Sequence, residues 1–186
     1  MADANEAIQF TLRQEDSTLA GTITNISGDS GGMTRFGLVS KYHPTLVASG
    51  FYDASMDAAT ALPLAEAEYE AEYTTPLLIP QFASQAIATA LTSFSVNEEG
   101  AGSRGRAVQI LQEACQQLGQ QLADDGAMGP ATLAAINACE ASALLPLYCQ
   151  GQQTRYNAIV AADPTQQKFL RGWTARVDAI KALSTS

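Results

Sequence analysis

The stretch Gln14–Leu38, QEDSTLAGTITNISGDSGGMTRFGL, predicts how the N-terminal part of the chain is organised. It follows a short amphipathic helix that is predicted to begin near Asp3 and opens with an acidic first turn. The acidic pair Glu15 and Asp16 falls where this helix stops, and a Gly-rich turn follows. Carboxylates at a helix end that face a turn of small and hydroxyl residues suit a cleft that works on a polar polymer.

The residues around the Gly-rich turn predict a small β-hairpin. Residues 21–26 form one arm and residues 34–39 the other, with the Asp29–Gly32 turn between them. Residues 41–51, with Pro44 and Gly50, are predicted to be loop. Asp53 is read as a helix N-cap, and Pro63 is expected at the first position of a better helix that runs to about Tyr73.

The remainder of the chain has the periodicity of helices. Apolar residues at helical spacing are predicted to face a common core on the segments that begin near residues 83, 106, 130, 145 and 164. The segment 95–105, SVNEEGAGSRG, is the clear break in composition. We therefore predict a mainly α protein with a small N-terminal β-hairpin, divided into parts 1–97 and 98–186 that pack as one globule. On the last helix, Phe169, Trp173, Val177 and Ile180 are expected to face inward.

Composition excludes several classes of function. The chain has 186 residues, of which 46% are hydrophobic and 16% charged, and its formal net charge is −9. Nucleic-acid binding requires clustered Lys and Arg, whereas the ten basic residues here are scattered. The local groups are Arg104/Arg106 and Lys168/Arg171/Arg176. No apolar run approaches the roughly 20 residues of a membrane span. The N-terminus lacks a signal-peptide pattern, so synthesis in the cytoplasm without a signal peptide is expected.

Neither cysteine nor histidine indicates a metal centre. Cys115, Cys139 and Cys149 are too few for a disulfide scaffold and too widely spaced for a zinc site, so buried thiols are expected. A single disulfide remains an alternative in an oxidising compartment. His43 is the only histidine and is assigned to a loop. No metal and no organic cofactor is predicted.

Taken together, the motifs resemble glycoside hydrolase family 108, bacterial and phage muramidases with a lysozyme-like fold. The resemblance is carried by the acidic end of the first helix, by the turn DSGGMTRFGL, by a tyrosine pair and by the step around Asn97. The second half resembles the peptidoglycan-binding region that accompanies this family. Its markers are Leu111-Gln112, Asp125-Gly126, Gly129-Pro130, Arg155-Tyr156 and Gly172-Trp173.

The resemblance implies an N-acetylmuramidase that cleaves the β-1,4 bond between N-acetylmuramic acid and N-acetylglucosamine in peptidoglycan. Glu15 would be the general acid. Asp29 would position water or support the developing positive charge, with a turn-stabilising role as the equal alternative. Substrate contacts are expected from Thr34, Tyr69, Tyr73 and Asn97. Their alternatives are a paired strand residue for Thr34 and core positions for the tyrosines.

Two departures from the family pattern keep a second function open. A gapless alignment places Ala20 at the acid position, and Thr74 stands where the family has Trp. The alternative is therefore a non-catalytic peptidoglycan-binding or secretion-apparatus protein on the same fold. A catalytic form would reach the periplasm or cell wall by phage-type release or contact-dependent secretion. As an antibacterial effector it would have a cognate immunity protein.

Overall fold

A computed structural model describes residues 1–25, 32–98 and 103–183, excluding the side chains of residues 103 and 104. Within these ranges the chain forms eight α-helices and one three-stranded antiparallel sheet, which confirms the predicted mainly α, lysozyme-like class. In chain order the elements are α1 (Ala4–Glu15), β1 (Thr24–Asn25), β2 (Met33–Arg35), β3 (Leu38–Val39), α2 (Pro44–Ala48), α3 (Ala58–Tyr69), α4 (Gln85–Asn97), α5 (Ser103–Gln117), α6 (Pro130–Ala138), α7 (Ala141–Ala162) and α8 (Gln167–Lys181).

The first residue of helix α1 follows a side chain that caps the N-terminus. The Asp3 carboxylate accepts a hydrogen bond from the Asn5 backbone N–H at 2.8 Å, which caps the N-terminus. One face buries Ala7, Ile8 and Leu12. This face packs against α4, an almost wholly buried helix that also contacts α5, α7 and α8. The consequence is that the end of α1 is held close to the C-terminal helices.

The sheet differs from the predicted hairpin. Thr34 pairs with Thr24 on one side and with Val39 on the other, so β2 is the central strand. The segment 34–39 was predicted to be a single arm, but it turns back on itself at Phe36 and Gly37. Both residues have positive φ, +50° and +80°, as expected of a two-residue hairpin turn whose twist matches the strands. Asp29 and its turn lie outside the described residues.

The segment between the sheet and α4 corrects two further predictions. Residues 41–51 are not all loop, because Pro44 opens the short helix α2. The next helix is capped by Asp57 rather than Asp53, and Pro63 lies inside α3. A π-helical turn, Glu70–Thr74, continues α3, and a 3₁₀ turn follows at Ile79–Gln81.

The C-terminal half matches the predicted helices with local differences. Helix α5 ends at Gln117, and α6 begins at Pro130 as predicted. A 3₁₀ turn at Pro164–Gln166 leads into α8. On α8, Val177 and Ile180 are fully buried, but Phe169 is 47% exposed, so its predicted inward position is wrong.

The cysteine prediction is confirmed for two of the three thiols. Cys115 and Cys149 are buried, Cys139 is partly exposed, and all three are free cysteines. Burial raises the pKa of the Cys149 thiol to about 11, so the thiol form predominates at neutral pH.

A single helix able to span a membrane is absent from the described ranges. By length and composition alone, α6 and α7 together pass as a pair bent by 116°.

Candidate functional site

Glu15 occupies the last position of α1, and its carboxylate turns toward the C-terminal half. Its Oε1 atom lies 2.6 Å from Nη2 of Arg176 on α8. The Glu15 side chain is 23% exposed and that of Arg176 is 9% exposed. Arg176 also donates from Nη1 to Oγ of Ser93 on α4 at 3.2 Å. Three helices therefore meet at the candidate acid.

The β2–β3 turn forms a second wall beside Glu15. Gly37 has φ +80°, and a Cβ atom at this position would lie 3.0 Å from Cγ of Glu15 and 2.8 Å from the hydroxyl of Tyr69. Tyr69 is fully buried and donates from its hydroxyl to the carbonyl oxygen of Phe36 at 3.0 Å. Gly37 is thus required both by its backbone conformation and by the close approach of Glu15.

Arg35 fixes the sheet that carries this turn. Its guanidinium is buried and donates to the carbonyl oxygens of Gly21, Phe51 and Met56 at 2.8, 2.7 and 2.8 Å. Three backbone acceptors from separate segments are satisfied by one side chain, as burial of polar groups requires. Arg35 therefore connects the loop after α1 to the segment that precedes α3.

Asp16 has a different role from Glu15. Its Oδ2 atom accepts a hydrogen bond from the Gly21 backbone N–H at 2.7 Å, and Oδ1 accepts from the Thr18 hydroxyl at 3.0 Å. Partial burial raises the pKa of Asp16, but the hydrogen bonds from Gly21 and Thr18 outweigh it and the net pKa is lowered. Asp16 is an ionised side chain that stabilises the loop after α1.

A groove beside Arg176 has a volume of about 430 Å³. It adjoins the residue before Glu15 and runs along α8, and we name it the α8 groove. Apart from Gly172 and Ala175, its lining residues carry amide, basic or aromatic side chains: Gln14, Asn97, Lys168, Phe169, Arg171, Trp173 and Arg176.

Aromatic contacts connect the α8 groove to a second cavity of about 230 Å³. Trp173 stacks on Tyr156 with ring centroids 5.0 Å apart and an interplanar angle of 16°, and Phe169 lies 5.8 Å from Trp173. The Tyr156 hydroxyl donates to Oδ1 of Asn97 at 2.6 Å. Burial raises the pKa of Tyr156 well above its ordinary value, so this hydroxyl remains a hydrogen-bond donor. Asn97 is thereby held between the two cavities.

The predicted site residues that the structure describes are not brought together in one pocket. Glu15 and Tyr69 both closely approach Gly37, and Asn97 lines the α8 groove together with Arg176. Tyr73 is buried, with its ring 5.7 Å from that of Tyr69. Thr34 is half-buried in the central strand.

Sequence reasoning missed the contribution of α8 to the groove. Trp173 was assigned to the core, but it is only partly buried and lines both cavities. The available signal was the grouping of Lys168, Arg171 and Arg176, since at 3.6 residues per turn the two arginines project within about 60° and 80° of Lys168, on either side of it.

His43 lies in the loop just before α2, as predicted, and it is buried there. It is 4% exposed, and its Nδ1 atom lies 3.2 Å from Oε1 of Glu68. With Glu72 these residues form a group whose potential ligand atoms all lie within 4.8 Å of one another. None of the three is among the residues that line the α8 groove.

The second half of the chain supplies the comparison that bears on function. Residues 106–178 match the family model described as "Predicted Peptidoglycan domain". This segment is therefore similar to a domain associated with peptidoglycan. The matched segment includes Trp173 and Arg176, so the side chain that contacts Glu15 belongs to it. The match supports the broader resemblance without singling out glycoside hydrolase family 108.

The fold is shared with a solved structure. The chain superposes on the structure titled "Structure of Brucella abortus SagA" with a TM-score of 0.65, covering 96% of this chain and 91% of that one. The two sequences are 22% identical, so the likeness is one of fold. No curated protein matches the chain.

Proposed function

We propose that this protein is an N-acetylmuramidase that hydrolyses the β-1,4 bond between N-acetylmuramic acid and N-acetylglucosamine. The observation that carries the proposal is the position of Glu15 between the β2–β3 turn and Arg176. Arg176 and Gln14, the residue before Glu15, both line the α8 groove. A glycosidase acid must meet the bridging oxygen within an extended cleft, and this arrangement provides a partly exposed carboxylic acid beside such a cleft.

The structure favours Glu15 over the gapless alternative. Ala20, which a gapless alignment would place at the acid position, is an exposed loop residue beyond the end of α1. Glu15 instead lies against Gly37, the last glycine of the motif that carries the family resemblance. Extra residues after α1 are accommodated by the loop that Asp16 stabilises. Asp29 remains the proposed second carboxylate.

For Glu15 to act as an acid, its ion pair must open. Arg176 lies 2.6 Å from Oε1 of Glu15 and so occupies an oxygen atom that would carry the proton for the leaving group. A substrate carboxylate, such as the lactyl group of muramic acid or a stem-peptide terminus, is a competing partner for Arg176. We propose that substrate entry transfers Arg176 from Glu15 to the substrate. The released Glu15 carboxylate then takes up a proton from solvent and donates it to the bridging oxygen.

The lining of the α8 groove suits an acidic glycan. The chain carries a net charge of −9, yet Lys168, Arg171 and Arg176 converge on this groove. Phe169 and Trp173 add ring surfaces on which sugar faces can stack. Thr74, which replaces the family's Trp, is 1% exposed and offers no such surface. Local positive charge and aromatic rings therefore supply the attraction that the overall charge does not.

Digestion of purified sacculi tests the proposal. Wild type should release muropeptides with reducing-end muramic acid, identified by mass, and Glu15→Gln should abolish release while retaining its circular dichroism. Glu6→Gln, an exposed glutamate at the other end of α1, is the matched control and should cut normally. Equal cleavage by Glu15→Gln and wild type would assign the acid to another residue.

A non-catalytic peptidoglycan-binding protein is the second candidate, favoured by the match of residues 106–178. It predicts that wild type and Glu15→Gln both pellet with sacculi and that neither releases muropeptides. For the catalytic form we propose action in the periplasm or on the cell wall, after phage-type release or contact-dependent secretion. The secretion route implies a cognate immunity protein, which co-purification from the producing cell would identify.

A further inference from the structure

Three potential metal ligands converge where the chain after β3 meets the end of α3. Nδ1 of His43 lies 3.2 Å from Oε1 of Glu68 and 3.7 Å from Oε1 of Glu72. His43 is the residue that caps α2, and the two glutamates lie four apart, so their side chains share one helix face. The imidazole is 4% exposed, whereas the side chains of Glu68 and Glu72 are 22% and 36% exposed. The cluster is therefore closed on the imidazole side and open on the carboxylate side.

The separations fit a shared ion. Two ligands bound tetrahedrally at about 2.1 Å from a zinc ion lie about 3.4 Å apart. The distances from His43 to the two carboxylates fall on either side of this value. One imidazole nitrogen and two carboxylate oxygens form a ligand set that suits a divalent ion of the zinc type better than Mg²⁺ or Ca²⁺, which prefer oxygen alone.

The local charges also favour a cation. Glu68 lies in the last turn of α3, and Glu72 lies in the π turn that continues it. Within this described segment, Glu70 and Glu72 are acidic and the last turns carry no basic residue. The C-terminal end of a helix is itself negative, so a cation bound beside these two carboxylates interacts favourably with the helix end as well. Single π turns are also frequent at functional sites.

We propose that His43, Glu68 and Glu72 form a binding site for a divalent cation of the zinc type. Three protein ligands would leave one position of a tetrahedral ion for water. The ion would connect the segment after β3 to α3. Tyr69, which follows Glu68 and is the last residue of α3, contacts the β2–β3 turn. The site would stabilise the support of the β2–β3 turn without taking part in glycan cleavage.

Titration of the tag-free, EDTA-treated full chain with ZnCl₂ in a calorimeter tests the proposal. We expect one Zn²⁺ per chain and a higher melting temperature with Zn²⁺, with weaker effects of MgCl₂ and CaCl₂. His43→Asn and Glu72→Gln should each abolish both effects. Glu70→Gln is the matched control, since it removes the same charge from the same helix outside the cluster, and it should bind as wild type does.

Cobalt absorption separates this site from the thiols. Co²⁺ bound by His43 and carboxylates gives visible bands without the thiolate charge-transfer band that Cys115, Cys139 or Cys149 would add. Unchanged Zn²⁺ binding in Glu72→Gln, a thiolate band, or no binding by folded wild type would overturn the proposal. In the last case the cluster is an internal ion pair. Glu72→Gln keeps the test decisive if His43→Asn does not fold.

Discussion

Arg176, near the end of α8, donates a 2.6 Å hydrogen bond to Glu15 at the end of α1, across 161 residues of sequence. The guanidinium is held in place from the other side by Ser93 on α4. The candidate acid of the N-terminal part is therefore positioned by a residue of the peptidoglycan-domain match. The candidate site therefore combines residues from both parts of the sequence, before and after residue 98.

Arg176→Ala should lower the free energy of unfolding by about 2–3 kcal/mol, because it leaves Glu15 and Ser93 without their shared partner. Arg176→Lys should lie between this variant and wild type, since lysine restores the charge but not the fork of two donors. Urea unfolding followed by circular dichroism measures the effect. Arg171→Ala, an exposed arginine on the same helix, should stay within about 0.5 kcal/mol of wild type. Equal losses for the two alanine variants would show that the ion pair contributes nothing.

Gly37→Ala should destabilise the protein by about 2–4 kcal/mol, since strain at positive φ adds to overpacking against Tyr69 and Glu15. Gly119→Ala is the control, because Gly119 has φ +89° but a Cβ there would meet nothing within 4 Å. It should cost only the backbone strain, about 1–2 kcal/mol. If both variants unfold at the same urea concentration, the close approach to Glu15 is unimportant. Under the proposed function, Gly37→Ala should also lose sacculus digestion.

Asp16→Asn should destabilise the protein at neutral pH but not in acid. Partial burial raises the pKa of Asp16, while the stronger combined hydrogen bonds from Gly21 and Thr18 lower it below 3.8. A lowered carboxyl pKa contributes stability above the unfolded value, and this contribution disappears as the pH falls through the folded value. The difference in unfolding free energy between wild type and Asp16→Asn should therefore shrink from neutral pH to about pH 2. A difference that is constant with pH would contradict this assignment.

Trp173 should report glycan binding, since it is the chain's only tryptophan and lines the α8 groove. With Glu15→Gln to prevent turnover, soluble glycan fragments bearing free carboxylates should change its fluorescence. Phe169→Ala should weaken the apparent affinity about 3- to 10-fold, the value of one lost stacking contact. Tyr42→Ala removes another exposed aromatic, 66% exposed and outside the groove lining, and should have no effect. Unchanged affinity in Phe169→Ala would exclude the groove as the glycan site.

Local signals in the sequence determined the end of α1 at Glu15, the start of α6 at Pro130 and the mainly helical class. Helix periodicity and proline positions act over a few residues, so they can be read without a partner segment. The same kind of reasoning failed for Pro63, which lies at an exposed position inside α3, and for the short helix α2.

Only the tertiary structure decided which residues surround Glu15. Arg176, Gly37 and Tyr69 are separated from Glu15 by 161, 22 and 54 positions, and nothing local to any of them specifies that they meet. The meeting depends on α1 packing against α4 and on α8 packing against α4 and α7. Tertiary packing also leaves Phe169 at the surface and buries His43 beside two carboxylates. Which distant side chains meet is set by how the helices pack in three dimensions, and a single sequence does not show those contacts.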